Sequence, residues 1–175
     1  MKKGFTIIEV ALVLAIGGLI FLMVFVALPG LRASQRNTSR REDMISLVES
    51  IQKFQTNNRG GIPSTDGGGS NITYDSNQNI KKSTWKGFYR DYFGSNFHDP
   101  NGEDYKLTIV DCGSSNVDQV CANGNIREAF FPNNYTVSIV LQAACKGEQA
   151  IQTANPRNVA VLYKLEGAGT YCGDL

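Results

Sequence analysis

From Phe5 to Leu28 the chain carries one charged side chain, Glu9, in a run that is otherwise almost wholly apolar. Those 24 positions make a helix of about 36 Å at about 1.5 Å per residue, enough to cross a hydrocarbon core of about 30 Å. A carboxylate in such a segment costs roughly 2.5 kcal/mol or more at a helix centre, so a partner has to be found for it. A secretory signal would have an apolar stretch of about 7–15 residues followed by a small-residue cleavage site. Here the run is longer, and Leu28-Pro29-Gly30 follows it.

The rest of the chain, about 145 residues, is enough for one core of ordinary size. Net charge is +1, and without Lys2 and Lys3 the balance is 15 basic to 16 acidic groups, so bulk charge gives no reason to expect nucleic-acid binding. The four cysteines, Cys112, Cys121, Cys145 and Cys172, all follow the apolar run and form no C-x-x-C pair. An even count in the polar part of an anchored chain reads as two disulfides in an oxidising compartment. Of three possible pairings we prefer Cys112–Cys121 with Cys145–Cys172, because both loops are local. The spacing does not suit zinc, and His98 is the only histidine. The positive-inside rule sets Lys2 and Lys3 against Arg32, Arg36, Arg40 and Arg41. A strict count would keep the large domain in the cytoplasm; the cysteines put it outside, and we follow the cysteines.

After Pro29-Gly30, Met44, Ile45, Leu47, Val48, Ile51 and Phe54 recur at helical spacing. This predicts an amphipathic helix over 31–57 lying on a sheet, with Pro29 bending or beginning it. Gly60, Gly61, Pro63 and Gly67 to Gly69 end it. Residues 58–104 read as a long connection with little regular structure. "YKLTIV" (105–110), "YTVSIVLQA" (135–143) and "NVAVLYKLE" (158–166) read as strands. The last two form an antiparallel hairpin turned by "GEQAIQTANPRN", with a short further strand near 126–131. The fold class is α+β: a long N-terminal helix, membrane-spanning and then amphipathic, packed on a small antiparallel sheet.

The first residues carry specific information. A short basic leader, Met1-Lys2-Lys3-Gly4, ends in glycine, and Phe5, Thr6, Glu9 and the apolar helix follow. The motif K-G-F-T-I-I-E-V resembles the N-terminus of type IV prepilins over about residues 1 to 30, and beyond that only the architecture is similar. The resemblance implies a leader over 1–4, an assembly helix over 5–28, its amphipathic continuation over 29–57 and an extracellular domain over 58–175. It implies that a prepilin peptidase cuts between Gly4 and Phe5 and methylates the new terminal nitrogen of Phe5. It implies that the helices pack in the core of a homopolymeric filament, where the Glu9 carboxylate meets the terminal ammonium of a neighbouring subunit. An ion pair in low dielectric offsets the desolvation of both charges, so Glu9 would set axial register. The implied partners are the prepilin peptidase, the cytoplasmic membrane and a pilus assembly platform. The chain would be a substrate of enzymes rather than an enzyme, with no cofactor and no specific nucleic acid. It would serve adhesion or motility; a minor pilin or type II secretion pseudopilin is the nearest alternative. Gly17-Gly18 reads either as a point where the helix loosens on assembly or as ordinary close packing of membrane helices.

Other features have plainer readings. "WKGFYRDYFGSNF" (85–97) holds six aromatics with Lys86 and Arg90 between them, which we read as packing of the loop against helix and sheet, with a subunit interface as the alternative. "HDPNGED" (98–104) offers Asp99, Asn101, Glu103 and Asp104. We read it as a turn entering the strand at Tyr105, with a Ca²⁺ loop as the alternative, although EF-hand spacing is missing. Asn37, Asn71 and Asn134 begin N-x-S/T sequons. Arg32, Arg36, Arg40 and Arg41 read as a solvated helix face, with headgroup or subunit contacts as the alternative. No P-loop, G-x-S-x-G or H-E-x-x-H motif occurs. The rival functions are a membrane-anchored binding module that keeps its N-terminus and a tethered extracellular enzyme.

Overall fold

The computed structural model describes residues 4–65, 71–113, 121, 135–167 and 169–175. The strand expected near 126–131 and the sequon at Asn134 lie outside them. The chain divides into two compact units, Met1–Arg36 and Asn37–Leu175. One helix, α1, runs Ile7–Asn57, 51 residues with Pro29 inside it. A proline has no N–H to give the carbonyl four residues back, yet the helix is continuous on both sides of Pro29 and through Gly17-Gly18.

In the second unit, Met44, Leu47, Ile51 and Phe54 are buried at spacings of three and four, with Val48 packed beside them. Ile45, expected in this stripe, is 46% exposed, because it sits one position round the helix from Met44. Each large apolar side chain so buried contributes about 1.5–3 kcal/mol, and here tertiary packing rather than helix propensity fixes the stripe on the sheet.

The sheet has five strands in the order β1-β2-β3-β6-β7: β1 Asn71–Ile72, β2 Lys106–Asp111, β3 Thr136–Leu141, β6 Val159–Lys164 and β7 Thr170–Asp174. β3 pairs antiparallel with β6, as the sequence predicts. β2, however, pairs parallel with β3, Lys106 opposite Thr136 through Asp111 opposite Leu141, so the sheet is mixed and not antiparallel. A parallel neighbour needs a connection of a dozen or more residues, and Asp111 and Thr136 are far enough apart in sequence to allow one. β7 had no expectation behind it; it pairs antiparallel with β6.

The run 135–143 is not one strand. Gln142 takes a left-handed φ of 57° and breaks it. The Gln142 N–H donates to the Asn158 carbonyl at 2.8 Å, and its own carbonyl accepts from the Thr153 N–H at 2.7 Å. The segment expected to be a turn holds a separate hairpin, β4 Ala143–Lys146 and β5 Gln149–Gln152. The central strands are therefore covered on both faces. Val137, Ile139, Val159, Val161 and Tyr163 share a core with the α1 stripe, while Val140, Ala160 and Leu162 pack with Ala143 and Ala150 of the hairpin.

Residues 58–104 are also more regular than expected. α2, Trp85–Tyr92, begins at Thr84, whose hydroxyl accepts from the Gly87 N–H at 3.2 Å. Trp85, Phe88 and Tyr89 face inward at helical spacing. A Cβ on Gly87 would stand 2.2 Å from the Lys81 carbonyl oxygen, so only glycine lets α2 lie this close to the segment before it. A 3-10 turn follows at Gly94–Asn96.

Candidate functional site

Glu9 finds its partner one turn away. Thr6 is the residue before the helix, and its N–H and hydroxyl both donate to Glu9 Oε2, at 2.9 and 2.8 Å. The Glu9 N–H donates back to Thr6 Oγ1 at 3.4 Å. This is a reciprocal capping box, T-x-x-E, which satisfies two of the N–H groups a helix start leaves over. The carboxylate also sits where the helix dipole favours negative charge. The T-x-x-E spacing that carries this cap is present in the sequence.

Gly4 and Phe5 precede the helix, with Phe5 90% exposed. From Ile7 to Leu28 the large apolar side chains stand open on all sides. A Cβ at Gly17, Gly18 or Gly30 would meet nothing within 4 Å. Among the described residues α1 is the one helix long and apolar enough to cross a membrane, which makes it a candidate membrane anchor.

The second unit holds a buried ionic cluster that the sequence reading missed. Arg40, expected on a solvated face, is 3% exposed. Its Nε and Nη2 donate to the two oxygens of Asp99, at 2.6 and 2.9 Å, and its Nη1 meets Glu166 Oε1 at 2.8 Å. The Tyr163 hydroxyl donates to Asp99 Oδ2 at 2.9 Å, and the Asn101 N–H to Asp99 Oδ1 at 2.9 Å. Asn37 holds the Glu166 backbone at both ends, through N–H and carbonyl contacts of 2.9 and 3.0 Å. Nearby, the Tyr105 hydroxyl donates to Asp43 Oδ2 at 2.9 Å. A cleft of about 260 Å³ opens beside Arg40, with Asn101, Tyr135, Lys164 and Glu166 in its wall.

Burial works to raise the Asp99 carboxyl. Hydrogen bonds from Arg40, the Asn101 N–H and Tyr163, with the Arg40 charge, outweigh it and hold Asp99 below its ordinary value. Asp43 goes the other way: burial raises it, the Tyr105 hydroxyl only partly offsets that, and the charges of Asp99 and Glu42 add to the rise. Burial also pushes the Tyr105 and Tyr163 hydroxyls up, reinforced by the carboxylates they donate to.

The carboxylates Asp99 and Asp104 go to separate partners rather than gathering round one point. Asp99 belongs to Arg40, and Asp104 pairs with His98. Among the described residues no group of three or more His, Cys, Asp or Glu side chains is placed to hold a metal ion. The aromatics of 85–97 pack inward: Phe88 stacks on Tyr92 at 4.9 Å between ring centres and meets Phe54 of α1 edge-on at 5.8 Å. The cysteines pair as Cys112–Cys121 and Cys145–Cys172. The second bridge ties the β4–β5 hairpin to β7, where the Cys145 N–H also donates to Asp174 Oδ2 at 2.7 Å.

No family model, no curated protein and no solved structure matches this chain.

Proposed function

We propose that this protein is a structural subunit of a type IV pilus-like filament. It is inserted as a single-pass precursor with its leader in the cytoplasm and its disulfide-bearing unit outside. It is cut between Gly4 and Phe5, methylated on Phe5 and polymerised through α1, and it is handled by enzymes rather than being one. One observation carries the reading: a continuous 51-residue helix whose first half leaves its large apolar side chains exposed, while its second half contributes to the core of a folded unit. Such a surface needs lipid, other helices or both, and exchange of one for the other is what a fibre drawn from a membrane requires. Glycines with open space around them let neighbouring helices approach closely.

The test is mass spectrometry of the N-terminal peptide from protein made in its own cells. A peptide that starts at Phe5 with one added methyl is expected. A peptide that still starts at Met1, in cells with an active prepilin peptidase, overturns the reading in favour of a permanently anchored module.

A further inference from the structure

The mixed pairing of the sheet gathers three chain segments at one end. β2 and β3 run parallel and β6 runs against them, so the entries to β2 and β3 and the exit of β6 lie on the same side. Asn101, Tyr135, Lys164 and Glu166 come from those places, and with Arg40 of α1 they wall the cleft of about 260 Å³. The wall is held before anything enters it. The Asn101 N–H donates to Asp99 Oδ1 at 2.9 Å, and the Tyr135 carbonyl accepts from the Lys106 N–H at 3.0 Å. Asn37 grips the Glu166 N–H and carbonyl. All of these are backbone contacts of the wall residues. Among the described residues nothing engages the side-chain amide of Asn101 or the Lys164 ammonium, and both side chains are exposed.

Charge then decides the class of ligand. Arg40 and Lys164 bring two positive charges, Asp99 and Glu166 two negative ones, so the cleft sums to zero. A balanced cleft draws neither anions nor cations from a distance. What it offers is an amide that both donates and accepts, an ammonium that donates and a phenol with an apolar body and a polar tip. A neutral ring dense in hydroxyls, with C–H groups on one face, matches that set. The volume lies just under the ~300–1,000 Å³ of sites that enclose drug-sized molecules, so a single sugar ring fills it.

We propose that this cleft binds one unit of a neutral saccharide, with Asn101 and Lys164 hydrogen-bonded to its hydroxyls and Tyr135 against its ring face. Arg40 and Asp99 do not touch the sugar; they hold the wall in place behind it. The inference rests on the folded unit Asn37–Leu175 and not on processing or polymerisation of α1. It holds for a fibre subunit and for an anchored module alike.

The experiment uses the full-length protein in a detergent without a sugar headgroup, with saturation-transfer NMR of galactose, glucose, mannose, N-acetylglucosamine and N-acetylgalactosamine. N-acetylneuraminic acid and glucosamine serve as the anionic and cationic controls. At least one neutral sugar is expected to take up saturation and to bind more tightly than either charged control. Loss of two hydrogen-bonding groups in N101A/K164A is expected to weaken that sugar by about tenfold or more. Both side chains are exposed, so the variant is expected to melt like the wild type. A second reading needs no variant. The bound sugar is expected to slow acetylation of Lys164 by acetic anhydride, read by peptide mass, and to leave that of Lys146, exposed on β4, unchanged. No response from any neutral sugar overturns the proposal, and so does a response confined to a charged control. Undiminished binding by N101A/K164A, or equal acetylation of Lys164 with and without the sugar, overturns it too. None of these outcomes touches the filament reading, which stands or falls on the N-terminal peptide.

Discussion

Arg40 and Asp99, 59 residues apart in the chain, meet as a two-pronged ion pair with contacts of 2.6 and 2.9 Å, closed off from solvent. The pair pins the second half of α1 to the loop that enters β2. Removing one member strands the other charge in the interior, which typically costs about 3–5 kcal/mol. Arg40→Met and Asp99→Asn are each expected to lower thermal stability by that order, read by near-ultraviolet circular dichroism of the detergent-solubilised chain. The joint replacement R40M/D99L is expected to cost less than the sum of the singles, because neither of the two buried charges is left behind and Glu166, which also meets Arg40, is partly exposed. Strict additivity would mean the two side chains act independently.

The same cluster sets a lower pH edge. Asp99 is held below its ordinary value, so its contribution is complete above the unfolded value near 4 and is lost as pH falls through the lower folded value. Asp43 is raised, so its charge costs stability at neutral pH and that cost is relieved as it protonates. Asp43→Asn is therefore expected to be neutral or mildly stabilising at pH 7, whereas Asp99→Asn is damaging. Urea midpoints of both variants across pH 3 to 7 would check the contrast.

The hydroxyls set an upper edge. Tyr105 and Tyr163 are raised in the folded state, so unfolded tyrosines ionise first and stability falls as pH rises above about 10. Tyr163→Phe is expected to flatten that decline while losing the hydrogen bond to Asp99, a cost of about 1–3 kcal/mol at neutral pH. Unfolding midpoints between pH 8 and 11 would show both effects.

Thr6 and Glu9 separate a local role from an assembly role. Loss of a threonine N-cap costs about 1 kcal/mol of helix stability, so Thr6→Val is expected to fray the first turn and leave membrane insertion unchanged. Glu9→Ala loses the same cap, and under the filament proposal it also reduces incorporation into fibres. Normal fibre yield from Glu9→Ala, in a strain with no other pilin, would sink the register role and leave Glu9 as a cap alone.

The two bridges differ in reach. Cys145–Cys172 spans 27 residues and Cys112–Cys121 spans 9. Loop entropy gives about 3.6 kcal/mol for the longer and about 2.6 for the shorter. Paired serine replacements are expected to keep that order in thermal melts of the full chain. The reverse order would mean the shorter loop carries structure of its own.

How far the sequence could be read depended on whether its signals were local. The stripe Met44, Leu47, Ile51 and Phe54 is periodic, and it was legible. The strands around Leu107, Ile139 and Val161 were legible from their β-branched residues. The parallel pairing of β2 with β3 was not, because no spacing within either strand reveals direction; only the length of the connection after Asp111 hints at it. α2 was hidden because eight residues rich in aromatics look like loop packing until Thr84 is recognised as a cap. Arg40 was misread because its partners, Asp99 and Glu166, lie far along the chain, and nothing about a single arginine tells a buried one from a solvated one.

The order of the strands also has a consequence in time. The α1 stripe is made early, but β6, an interior strand of the sheet that covers it, ends with Lys164. Tyr163 follows Phe54 by about 110 residues, which takes roughly 5 to 20 s at usual rates of synthesis. Throughout that interval the nascent chain bears Met44, Leu47, Ile51 and Phe54 without the strand they are built to meet. The period for which a chaperone has to shield them is set by this gap, and slower translation between residues 60 and 160 lengthens it in proportion.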